Sequence, residues 1–294
     1  MNTGNWGRWG PDDEVGALNL VDPAAVLGGL ALATQGRVLS LAQPIGPLAG
    51  VPPHRRAPQR FMDRDAGDYA AGARSPDGFR FAEDTVVFGT HSGTHLDALA
   101  HAWSGDELYN GHAATGTRST RGAQRCGADK LVPVLTRGVL VDLVAARGGP
   151  LEPSVPVGVD DLERAYSGSG VEARAGDAVL LRTGWWERHA GAPEYFDLEP
   201  GLDAGAADWL AERDVALVGA DNYAVEVAPS APGSTFPVHL TLMHRHGVPL
   251  LENLDLRALG QALAEAGRST FLLVVAPLPL AGSTGGPVNP VAVL

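Results

Sequence analysis

Cysteine is almost missing from this chain. Cys126 is the only one in 294 residues. A lone cysteine excludes an intramolecular disulfide framework and any multi-cysteine zinc site. Its context, Gln124-Arg125-Cys126-Gly127, reads as that of a bland thiol. Long apolar runs are missing too. None reaches the ~18–20 residues needed to span a bilayer, so no membrane partner is expected. The opening Met1-Asn2-Thr3-Gly4-Asn5-Trp6 has neither a basic nor an apolar targeting segment, so the expected location is cytoplasmic. Positive charge is scarce, with 22 Lys and Arg against 34 Asp and Glu and a net charge of -12. Nucleic-acid affinity rests on cationic side chains neutralising phosphates, so no nucleic-acid partner is expected. No internal repeat and no linker stands out. The chain reads as one domain over residues 1–294, with an arm over about 1–20 and a long loop over about 44–82.

Hydrophobic residues make up 45% of the chain, enough for a full core. Asp22 reads as the cap of a helix with Pro23 at its first position and Gly36 beyond its end. Val38-Leu39-Ser40-Leu41 reads as a short strand. In the second half, strands over 138–143, 178–182, 216–219 and 270–276 alternate with helices starting at Val159 and spanning 203–213 and 256–266. Residues 249–254 read as a strand or edge segment, and His239 to His246 as helical. Such alternation points to α/β layering.

Three of the nine histidines fall within His91-Ser92-Gly93-Thr94-His95-Leu96-Asp97-Ala98-Leu99-Ala100-His101. Imidazole and carboxylate are ligands of zinc, manganese and related ions. The run follows a strand expected over Thr85 to Gly89, and Gly93-Thr94 is a turn signal. A helix beginning near Thr94 would put His95 and Asp97 in its first turn and His101 on the same face as Asp97. His91, His95 and Asp97 are the expected metal ligands, and His101 the expected general acid/base. Trp103 is a candidate wall for a flat substrate, or plain core. Trp6 and Trp9, beside Gly4, Gly7 and Gly10, read either as a lid over a pocket or as indoles pinning an arm. His112, Asp221 and Glu226 are weaker candidates for an outer role, the last two near a strand end. His54-Arg55-Arg56 reads as a solvated basic patch, with an anionic substrate as the other reading. His244 and His246 read as exposed histidines without a role.

The pattern H-x-G-T-H-x-D-x-x-x-H resembles the signature of the metal-dependent cyclase family, which includes bacterial kynurenine formamidase and isatin hydrolase. Leu99 stands where the commoner form has Pro. The late Glu252-Asn253-Leu254, Ala276-Pro277-Leu278-Pro279-Leu280 and Gly282-Ser283-Thr284-Gly285-Gly286-Pro287-Val288 resemble the same family, and the segment Asn5 to Val21 resembles its longer bacterial members. The resemblance implies a swivelling β/β/α fold, a mixed sheet with a small barrel-like element and outer helices. It also implies a homodimer or homotetramer, with arms crossing between subunits. By position it makes Asp97 a bridge and His239 with Glu252 the holders of a second ion, giving one or two divalent ions, Zn or Mn, per chain.

The reaction class that fits is metal-assisted hydrolysis. An aryl formamide, a cyclic amide or a lactone is the expected substrate, a small flat or aromatic molecule. The alternatives are a lyase or ring-closing enzyme that stabilises an enolate, and a non-catalytic metal-binding protein.

Overall fold

The computed structural model describes residues 4–46 and 51–294. The first three residues of the expected arm and residues 47–50 of the expected loop lie outside them. In chain order the strands are β1 (Val38–Ser40), β2 (Gln59–Arg64), β3 (Glu83–Val87), β4 (His95–Asp97), β5 (Val134–Asp142), β6 (Pro156–Val157), β7 (Ala178–Arg182), β8 (Gly201–Leu202), β9 (Leu217–Ala220), β10 (Leu250–Glu252), β11 (Thr270–Val275), β12 (Gly285–Pro287) and β13 (Val291–Val293). The helices are α1 (Pro23–Leu30), α2 (Ala66–Ala70), α3 (Leu143–Arg147), α4 (Val159–Ser169), α5 (Trp185–His189), α6 (Ala204–Ala211), α7 (Pro237–His239) and α8 (Arg257–Glu265).

Nine strands form one mixed sheet in the order β1-β13-β11-β5-β7-β9-β10-β4-β12. The central β5, β7, β9 and β10 run parallel, and the flanking pairs are antiparallel. Every residue of β7 and β9 is buried, as expected of strands covered on both faces. Alternation sorts their side chains. Val139, Val179, Leu181 and Val218 pack with Leu162 of α4 and Leu210 of α6. Leu140, Leu180, Leu217 and Leu251 pack on the other face with Leu259 and Leu263 of α8. This is the expected α/β class, a mixed sheet with outer helices.

Local chemistry sets the helix starts. The Asp22 carboxylate accepts from the Ala25 N–H at 2.8 Å, and Asp203 does the same for Ala206 at 2.8 Å. Helix α1 stops at Leu30, well before Gly36. Its Gly29 lies against β5, where an added Cβ would come 2.8 Å from the Thr136 carbonyl carbon.

Two expectations change. The described part of the 44–82 excursion carries β2 and α2, and β2 pairs with β3 as a hairpin. All five residues of β3 are exposed, so no buried periodicity marks it in the sequence. The strand expected over Thr85 to Gly89 is β3, two residues earlier. The second change concerns the histidine run. No helix begins near Thr94. Gly93 takes a left-handed turn at φ 60, and His95-Leu96-Asp97 enters the sheet between β10 and β12. The apolar Leu96 decides this: it is fully buried with the α8-side core, and period two then puts His95 and Asp97 together on the opposite face.

Candidate metal centre

The centre forms where β4 and β10 meet under α7. His95 and Glu252 are paired in register across these antiparallel strands, so their side chains share a face. Asp97 joins them by alternation along β4. His239 reaches the same spot from the last turn of α7, whose neighbour Val238 is buried in the core on this face. His101 comes from the loop after β4, where its N–H donates to the Ala98 carbonyl at 2.8 Å.

All six side chains that carry the metal reading are brought together. His95 Nε2 lies 3.4 Å from Asp97 Oδ1 and 3.1 Å from Glu252 Oε2. His239 Nε2 lies 3.8 Å from Asp97 Oδ2 and 3.4 Å from Glu252 Oε1. His101 Nε2 is 3.8 Å from Asp97 Oδ2, and His91 Nδ1 is 2.6 Å from Asp97 Oδ1. Two sets offer ligand atoms within 4.8 Å of one another: His91, Asp97 and His101, and His95, Asp97 and Glu252. Asp97 belongs to both.

The surroundings fix which nitrogen each imidazole presents. His95 Nδ1 faces the Gly93 carbonyl at 2.9 Å, which leaves Nε2 for the cluster. His239 Nδ1 faces Glu226 Oε1 at 2.6 Å, with the same result. The Glu226 carboxylate also accepts the N–H groups of Val238 and His239, each at 3.2 Å. His91 is held at both ends, by Asp97 and by Thr284 Oγ1 at 2.9 Å. To bind an ion it must yield one of these contacts.

The donor set fits a divalent cation. His95 Nε2, Asp97 Oδ2 and Glu252 Oε1 are buried and have no hydrogen-bond partner among the described residues. Such atoms are costly unless something pairs with them. The electrostatics agree. Burial opposes charge on Asp97, yet the surrounding imidazoles of His101 and His91 hold its carboxyl well below the usual range. Burial also opposes protonation of His95, but the nearby carboxylates of Asp97 and Glu252 outweigh it and raise the imidazole to about 10. For His239, burial is outweighed by Glu226 and Glu252, again giving about 10. Two ionised carboxylates thus draw positive charge into the site, as protons when no cation is bound. His101 goes the other way. Burial pushes it down to about 4, so it is neutral at pH 7.

A cavity of about 250 Å³ opens onto this cluster. His101, His239 and Glu252 line its floor. Tyr223 and Phe236 give it aromatic walls, and His54 and Arg55 line it from the loop before β2.

The expected substrate residues lie elsewhere. Trp103 is 40% exposed and is not part of this cavity wall. Trp6 donates its indole N–H to the His244 carbonyl at 2.7 Å, and Trp9 lies under the Arg8 guanidinium. The described arm is tied to its own chain: Asn5 N–H donates to Arg245 at 3.0 Å, and Gly7 N–H to Asn110 Oδ1 at 2.7 Å. In this chain Trp6 and Trp9 do not line the described cavity. His112 Nε2 faces the Asp13 carbonyl at 2.9 Å, within the same arm contact. Asp221 is also structural. Its carboxylate accepts the N–H groups of Thr183 and Gly184 at 2.8 and 2.7 Å, tying off β7, while burial raises it to about 6. Sequence reasoning missed Tyr223 and Phe236. Both stand in loops without periodicity, and no signal in the sequence points to them.

Known proteins share this fold. Residues 39–227 match the family model described as "Putative cyclase". Isatin hydrolase from Roseibium aggregatum is 28% identical over 229 residues, 74% of this chain and 77% of that protein. A solved structure described as a novel cyclase superposes with TM-score 0.92 and 34% identity, covering 99% of this chain and 97% of the other. Isatin hydrolase A from Ralstonia solanacearum superposes with TM-score 0.64 and 25% identity, covering 92% and 95%. Among the described residues no helix is long and apolar enough to cross a membrane. With more than half of its length matched by the family model, this chain belongs to the cyclase family.

Proposed function

We propose that the chain is a metal-dependent hydrolase that opens the amide bond of a small aryl formamide or cyclic amide. The observation that carries this is Asp97, shared by two candidate ligand sets beneath a cavity that Glu252 and a neutral His101 line. The likeness to isatin hydrolase supports an amide substrate. A divalent ion held by His95, Asp97, Glu252 and His239, with His91 and the other face of Asp97 beside it, would polarise a carbonyl and acidify water. Imidazole with carboxylate suits zinc or manganese.

The chain's own groups do the rest. Water adds to the scissile carbonyl carbon, the C–N bond breaks, and a carboxylic acid and an amine result. His101 Nε2 accepts the proton of the attacking water, and its 25% side-chain exposure leaves it open to the cavity. It returns that proton to the leaving nitrogen. Asp97, 3.8 Å away, stabilises the imidazolium between these two transfers. Tyr223 and Phe236 present flat apolar surfaces suited to an aryl ring.

The test is turnover of N-formylkynurenine, formanilide and isatin in oxygen-18 water, with metal-loaded and chelated protein. Metal-dependent turnover with label in the carboxylate is expected. Product formed without label would make the reaction an elimination or ring closure and overturn the hydrolase reading.

A further inference from the structure

Within the basic patch His54-Arg55-Arg56, Arg56 is exposed, but Arg55 is half-buried and turned to the cavity over the candidate metal centre. Two contacts hold it there. Its Nη1 donates to the His91 carbonyl at 2.7 Å, and its guanidinium carbon lies 5.2 Å from the centre of the Tyr223 ring. Among the described residues no carboxylate pairs with Arg55, in a chain with 34 acidic residues. Other arginines, Arg213 and Arg268 among them, also lack one, but Arg55 is the arginine that lines this cavity. A guanidinium carries five donors in a rigid fork that matches a carboxylate. Here one nitrogen is tied to the backbone and the plane is steadied by an aromatic ring. The rest of the fork has no acidic partner among the described residues.

We infer that Arg55 is a specificity residue that binds an acidic group on the substrate, so that the enzyme's substrates are aryl amides carrying a carboxylate. This deepens the hydrolase reading and rests on it. The size of the cavity narrows the class. At about 250 Å³ it falls below the ~300–1,000 Å³ usual for small-molecule sites, which favours a single-ring substrate. The aromatic ring would lie against Tyr223 and Phe236, the scissile carbonyl over His239 and Glu252, and the carboxylate against Arg55.

The test uses binding as well as turnover. Metal-loaded wild type, R55Q and R55K are titrated calorimetrically with 2-aminobenzoate and with aniline, which have no bond to cleave. Wild type should prefer the acid by ~10-fold or more, since hydrogen bonds to charged groups have about that worth. R55Q should lose that preference, with the acid weakened more than aniline, and R55K should keep part of it. In turnover, R55Q should raise KM for 2-formamidobenzoate by at least ~10-fold more than it raises KM for formanilide. Three results would overturn the inference: no preference in wild type, a preference that survives in R55Q because the metal alone holds the acid, or equal weakening of both ligands because Arg55 only braces the His91 carbonyl. Formanilide is neutral, so its metal-dependent turnover scores the hydrolase reading separately.

Discussion

His95 and Glu252 face each other in register across β4 and β10, and His95 Nε2 ends 3.1 Å from Glu252 Oε2. Strand pairing thus builds the centre directly. A slip of β4 by one residue would send Leu96 into the site and His95 and Asp97 into the apolar core. The same register places Asp97 opposite Gly285 of β12.

That last pairing makes Gly285 sensitive. An added Cβ would come 2.6 Å from His91 Cε1 and 3.0 Å from the Leu96 carbonyl oxygen. G285A should push His91 away, lower metal affinity and cost ~1–3 kcal/mol of stability, as overpacking does. G286A is the control, because its Cβ meets only the tip of Leu280 at 3.4 Å. Metal titration and thermal melts of the two variants check this.

His101 is the base in the mechanism above. H101Q should lower kcat by ~100- to 10,000-fold, the usual worth of general acid–base catalysis, with metal content unchanged. Loss of metal together with activity would make His101 a ligand instead, in the set it shares with His91 and Asp97.

Glu226 orients His239 and caps the start of α7. E226Q should weaken metal binding by ~10- to 100-fold, as removal of a ligand's orienting partner does. Its kcat at saturating metal should stay near wild type, because Glu226 does not line the cavity.

His95 and His239 give the pH dependence. Both are raised to about 10 in the metal-free centre, chiefly against the opposing effect of burial. Their ordinary value is ~6.5. Their contribution to the stability of the metal-free protein is therefore full below ~6.5 and is lost as pH rises towards 10. Melting of the chelated protein should fall across that window. Metal must displace these protons, so loading at pH 8 should release ~2 protons per chain, and affinity should fall with falling pH. Calorimetry in buffers of different ionisation enthalpy reads the proton count.

Part of this centre was legible in the sequence because it is local. His91, His95, Asp97 and His101 lie within eleven residues, and their chemistry is plain. His239 and Glu252 are distant in the chain, and only the family resemblance tied them to Asp97. The secondary structure of the histidine run was not legible. Three residues of β4 are too few to show a period, and the partners that fix them as a strand lie far along the chain. The tryptophans were open to two readings for a different reason. Indoles beside glycines mark an anchored segment, and nothing local says whether the anchor is a pocket or the surface near Arg245 and Asn110. Arg55 shows the converse. A cation in an aperiodic loop reads as solvated until the fold sets it over the centre.

The central claim is that Asp97 holds the metal for the whole centre. Metal content per chain, by plasma mass spectrometry on wild type and D97N purified without chelator or affinity-tag metal, tests it most directly. About one or two divalent ions in wild type, and essentially none in a D97N protein of unchanged circular dichroism, is the result predicted. A wild type that stays empty after reconstitution, or a D97N that keeps its full metal, would contradict it.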